Sequence, residues 1–221
     1  MTGHPQCRPR AALLSATALA ALSLLVALTV GGSPAHAAFP GLNGRIACDG
    51  DRGPVANPLP APTNYSLSEV YSMNPDGSDL KLLTNNVGVR DLDPAWSPDG
   101  RKISFDSREV GAGTASEVFT MNADGSDPKR ITFAASSDDR TAWAPDGMNI
   151  AFMTGRDGNS NIYRIASDGS DTLGTRLTTD ASGDFSPAWS PDGTTIGFDS
   201  SQPGQNPTPG RGGDTNSEIY T

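Results

Sequence analysis

Residues 94–100 read PAWSPDG, the same phrase returns at 187–193, and a close variant, TAWAPDG, occupies 141–147. The tryptophans of the three copies, Trp96, Trp143 and Trp189, are spaced by 47 and then 46 residues. A near-constant interval of that size marks a repeat architecture, which has to be settled before any other feature is read.

Each PDG is followed by a short alternating run: KISF from Lys102, NIAF from Asn149 and TIGF from Thr195. An aliphatic residue and Phe flank a small residue in each, and period-two apolar spacing predicts a strand. The small residue (Ser104, Ala151 or Gly197) then faces the other side of the sheet, where something packs closely. A second run follows: SEVYSM at 68–73, SEVFTM at 116–121, SNIYRI at 160–165 and SEIYT at 217–221. These runs are β-branched and aromatic, as strands prefer. NPDGSD, NADGSD or ASDGSD comes next, and Asp-Gly between two strands signals a tight hairpin, because Gly takes a positive φ at no steric cost. A third run closes the unit: LKLLT at 80–84, KRITF at 129–133 and TRLTT at 175–179. The PAW segment is the remaining strand and S-P-D-G its exit turn, with Asp99-Gly100, Asp146-Gly147 and Asp192-Gly193 completing the bends.

One unit is therefore four short antiparallel strands in about 46 residues, with no helical periodicity. A lone four-stranded sheet cannot bury both faces, whereas radial stacking buries them, so the expected fold is an all-β propeller. The tryptophans are expected to fill the gaps between neighbouring sheets.

The amino-terminal 37 residues stand apart. Arg8 and Arg10 precede an apolar stretch at 11–30, and the small-x-small site Ala35-His36-Ala37 follows. This is the pattern of a secretory signal peptide cut before Ala38; left uncut, the same stretch is long enough to anchor the chain in a membrane. The expected location is extracytoplasmic: secreted, in the periplasm or at the cell envelope. Removal of residues 1–37 takes away both histidines, His4 and His36, and one of the two cysteines, leaving Cys48. The full chain carries −9. Without Arg8 and Arg10 the formal charge falls to −11, since no acid is lost. Such an acidic surface argues against nucleic acid or anionic membrane as a partner. A single cysteine forms no internal disulfide, so Cys48, in the Phe position of its strand, is expected to be a small buried hydrophobe.

The set W-S-P-D-G, I-x-F, E-[VI]-[YF]-x-M-N-x-D-G-S and R-[IL]-T resembles the TolB-type, WD-like propeller repeat of secreted and periplasmic bacterial proteins. The resemblance covers residues 38–221, with blades at about 39–84, 91–133, 138–179 and 184–221. It implies a protein-interaction platform or a partner of peptidases, and more distantly a relation to polysaccharide lyases. Rings of this type usually have six blades. Here the first blade lacks its PAW strand, two blades are whole and the fourth is unfinished. That inventory leads us to expect either a fragment or self-association of copies to complete a ring.

From the Phe position of one strand to the Val/Ile of the next, the distance is 22, 13, 10 and 21 residues in the four blades. This length variation falls at one place in the repeat, and equivalent loops of a propeller emerge on one face. The long loops, 49–65 and 199–216, are rich in Pro, Gly and Asn, and concentrated insertions mark a binding face. Candidate contacts are Arg52, Tyr65, Arg108, Arg156, Asp157 and Arg211. No catalytic residue is assigned, because a chain without histidine builds no Ser-His-Asp triad, Cys-His pair or imidazole metal site. Acid pairs could still act as in glycosidases. However, Asp91/Asp93, Asp138/Asp139 and Asp184 recur ahead of the PAW strands, as capping or turn residues would. No cofactor or metal is assigned. Ca²⁺ is the one ion the NADGSD oxygens would suit, although a hairpin alone accounts for that turn. The expected partner is a protein or a cell-envelope component, with a carbohydrate-binding or lyase propeller, or the propeller domain of a larger peptidase, as the alternatives.

Overall fold

The computed structural model describes residues 44–51, 68–111, 114–201 and 218–220. The expected signal peptide and the candidates Arg52, Tyr65 and Arg211 lie outside these described residues. The described chain is all-β, in four antiparallel sheets. The first sheet runs β1 (Ile46–Asp51), β2 (Ser68–Met73), β3 (Lys81–Leu82). The second is β4 (Val89–Trp96), β5 (Lys102–Glu109), β6 (Glu117–Asn122), β7 (Lys129–Arg130), and the third β8 (Asp138–Trp143), β9 (Asn149–Thr154), β10 (Asn161–Ala166), β11 (Thr175–Arg176). The fourth is β12 (Asp184–Trp189), β13 (Ile196–Ser200), β14 (Glu218–Tyr220). Each sheet is a blade, and the PAW strands β4, β8 and β12 form the inner edges.

The cores lie between blades. One joins Val118 and Ile131 of the second blade to Trp143, Ile150, Phe152, Tyr163 and Ile165 of the third. The other joins Val70 of the first blade to Ile103, Phe105 and Met121 of the second, with Trp96 and Leu83 packed against it. Each fully buried Ile, Val or Phe is worth about 1.5–3 kcal/mol, so it is stacking rather than any single sheet that supplies the stability. Ser104, the small residue of KISF, is fully buried, and its hydroxyl lies 2.7 Å from that of Thr141 in the next blade. Trp143 is 3% exposed and its indole N–H donates to the Ala95 carbonyl across the same gap at 3.1 Å. Trp96 and Trp189 are only half-buried, and neither indole N–H has a partner among the described residues. Trp96 packs against the one sheet that carries no PAW strand, and so no Ala carbonyl in Ala95's place.

Several expectations are corrected. The second blade starts at Val89, not 91: residues 89–92 already pair with β5, and a bulge at Asp93 (φ 51°) shifts the register before pairing resumes at Ala95. Equivalent bulges sit at Arg140 and Ser186. The third runs are shorter as strands than their sequences suggest, two residues each. Beyond them the chain doubles onto one acceptor, as where Leu83 and Thr84 both donate to the Val70 carbonyl. The length variation is also not confined to one face. Residues pairing across the second blade's Asp-Gly turn are 120 and 129, but 164 and 175 in the third blade, so that turn is two residues longer. Cys48 is buried as expected, but its sulfur is in a disulfide rather than free; the other cysteine, Cys7, lies outside the described residues.

Candidate binding face

Antiparallel strand directions sort the loops onto two faces. The S-P-D-G and D-G-S-D turns lie on one face. The loops from second to third strand lie on the other, together with the crossovers between blades.

The turn face is locked by its own hydrogen bonds. In 97–100 the Gly100 N–H donates to the Ser97 carbonyl at 2.9 Å, with Gly100 at φ 67°, and Asp99 accepts from the Ser97 hydroxyl and the Arg101 N–H. Gly147 and Gly193 repeat the bond and the positive φ. Asp146 accepts only from the Met148 N–H, since Ala144 replaces the serine. Asp192 accepts from Ser190 and twice from Thr194, and these bonds hold its carboxyl at a pKa of about 2. Asp76, Asp124 and Asp168 are likewise lowered by bonds from Ser78, Ser126 and Ser170, so the oxygens considered for Ca²⁺ serve Asx turns. Gly125 (φ 87°) sits where a Cβ would come within 2.6 Å of the Leu83 carbonyl oxygen of the preceding blade.

Beneath the variable-loop face runs a layer of buried acids that the sequence reading placed in caps and turns. Asp91, Asp138 and Asp184 are in the first halves of the inner strands and fully buried, and the buried Glu69 and Glu117 join them from β2 and β6. Each needs a partner, because an unsatisfied buried charge is costly. Asp91 accepts from the Ser107 hydroxyl at 2.5 Å and the Asn86 amide at 3.1 Å. Thr84 and Thr132 each accept a backbone N–H and donate to Glu69 and Glu117 respectively. Glu117 also pairs with Arg130, yet burial outweighs these partners and raises its pKa.

The candidate Arg156 is tied into this layer. It bonds the Asp138 carboxylate at 3.0 Å and the Leu173 carbonyl at 2.7 Å, and its guanidinium lies over the rings of Tyr163 and Phe152. Asp157 accepts from the Tyr163 hydroxyl at 2.5 Å and pairs with Arg176 at 3.4 Å. Both are structural ties within the third blade. Arg108, by contrast, lines a groove of about 560 Å³ with Val89, Glu109, Phe119 and Arg130. A second groove, of about 550 Å³, is lined by Arg156 with Phe133 and Leu173, which are 58% and 76% exposed. The structure thus places Arg108 and Arg156 in two separate grooves and Asp157 in neither of them. The sequence reading missed Phe133, which it placed in the strand run 129–133, and Leu173, which lies outside the runs it identified. It missed the acid layer too, although the recurrence of Asp ahead of each PAW was its visible signal.

No family model and no curated protein matches the chain. Solved structures do. A protein assigned as TolB from Agrobacterium tumefaciens is 27% identical, with a TM-score of 0.56 over 71% of this chain and 50% of that one. TolB from Acinetobacter baumannii is 21% identical, with a TM-score of 0.53 over 72% of this chain and 36% of that one. A chain of a nidogen/laminin complex matches at 12% identity and a TM-score of 0.55, over 74% and 55% of the two chains. The chain thus spans half or less of the TolB structures it matches, and its fold is a TolB-like β-propeller fold.

Proposed function

We propose that this chain is a non-catalytic, extracytoplasmic propeller module that binds a protein or another cell-envelope component through its variable-loop face. One observation carries the reading: the turn face is closed by repeated internal bonds, while the opposite side combines the second-to-third-strand loops with grooves beside Arg108 and Arg156, the latter flanked by exposed Phe133 and reached by Leu173 from the D-G-S-D connection of the third blade. Exposed apolar side chains rimmed by charge are a feature of interaction surfaces. The match to a chain of a nidogen/laminin complex supports a protein partner by analogy of fold alone. The basic, apolar and small-residue pattern of residues 1–37 supports export.

The test is capture from envelope and culture fractions of the source organism on the immobilised chain. A Phe133→Ser/Leu173→Ser variant, whose thermal unfolding should be near wild type because both residues are exposed, serves as the comparison. Retention of one protein by the wild type and its loss by about tenfold or more in the variant is expected. Equal retention by both, or retention of polysaccharide instead of protein, would count against the reading.

A further inference from the structure

Asp184 is the anomaly of the acid layer. It is 0% exposed, neither carboxylate oxygen has a hydrogen-bond partner among the described residues, and the hydroxyl of Ser200, its cross-strand neighbour, is likewise buried and without a partner among them. At the two equivalent positions the carboxylate is partnered, although Asp138 engages only Oδ2 and its Oδ1 is buried without a bond among the described residues. Asp91 takes hydroxyl and amide donors, and Asp138 takes the Arg156 guanidinium at 3.0 Å. Arg156 stands four residues after Phe152; four residues after Phe198 the sequence has Gln202, a neutral amide that lies outside the described residues. The fourth blade therefore keeps the acceptor of this repeated pair and has no cation at the corresponding position.

We propose that Asp184 and Ser200 form a slot for a guanidinium group, filled by an arginine side chain of a bound protein partner. Two free carboxylate oxygens match the paired N–H donors of a guanidinium, and Asp138–Arg156 shows the same position holding one. A divalent cation fits less well: one carboxylate and one hydroxyl are too few oxygens, and no group of three or more metal-ligating side chains occurs among the described residues. The slot is at the loop-face end of β12, so an arginine enters from the face already assigned to binding. The inference rests on that assignment and adds the partner's chemistry.

Two measurements on the full chain test it. In thermal unfolding without ligand, Asp184→Asn should not lower Tm, because it removes an unpaired buried charge. Asp138→Asn should lower Tm by several degrees, because it strips Arg156 of its partner. An Asp184→Asn loss as large as that of Asp138→Asn would mean the slot is already filled from within the chain, and would overturn the proposal. In NMR titration of the isotope-labelled chain, acetyl-Gly-Arg-Gly-amide should shift the amides of residues 183–185 and 199–200. It should bind about tenfold or more tightly than the neutral citrulline analogue, and Asp184→Asn should abolish the difference. Equal response to citrulline, or shifts at these amides from calcium chloride that the arginine peptide does not compete away, would overturn it. Shifts confined to other loop-face residues would overturn the slot while leaving the binding face intact.

Discussion

Three tryptophans in closely similar sequence context differ in what they touch. Trp143 is enclosed and bonded to Ala95 across a blade gap, whereas Trp189 is half-buried with its indole N–H unpartnered. Trp143→Phe should therefore cost about 1–2 kcal/mol, from one lost hydrogen bond, an orphaned carbonyl and a small void. Trp189→Phe should fall within about 0.5 kcal/mol of wild type. Urea denaturation of the two variants checks this, and equal losses would refute it. The role of the tryptophans as blade spacers was legible in their 46–47-residue interval. Which of them is bonded was not, because that depends on how closely the neighbouring blade packs: the third blade has Ala142 in Ala95's place, yet Trp189 lines an open groove there and leaves it unbonded.

At the scale of the element, the turns carry an acid sensitivity. Asp192 titrates at about 2 in the folded chain against an ordinary 3.8. A depressed folded pKa stabilises the fold above the unfolded value, and the contribution is lost as pH falls from about 4 to about 2. Wild type should exceed Asp192→Asn in Tm at pH 5, with the gap closing by pH 2. A gap that persists at pH 2 would show that the carboxylate's charge contributes nothing. Strands and turns were readable locally, since alternation, Pro and Asp-Gly act over four to eight residues. The bulges at Asp93, Arg140 and Ser186 were not, and they are what start β4 at Val89 and place Asp91 inside a strand rather than in a cap.

Across the whole molecule the blade interfaces are unequal. Seven buried side chains fill the gap between the second and third blades. The gap between the third and fourth is a groove of about 610 Å³ lined by Ile162, Leu177, Trp189, Ile196 and Phe198. Because the stability of a stacked repeat array resides in its interfaces, amides of β12 and β13 should exchange about tenfold or more faster than those of β8 and β9. Hydrogen exchange followed by mass spectrometry reads this directly, and uniform protection would refute it. The sequence by itself determined the repeat, the strand order within each blade and the propeller fold, because these follow from short-range periodicity and turn chemistry repeated at a constant interval. Only the tertiary structure decided which acids are buried, that Arg156 and Asp157 are internal ties, and that the Asp184 carboxylate has no partner among the described residues. Those outcomes depend on which groups neighbouring strands and blades bring within hydrogen-bond distance, and residues far apart in the chain meet there.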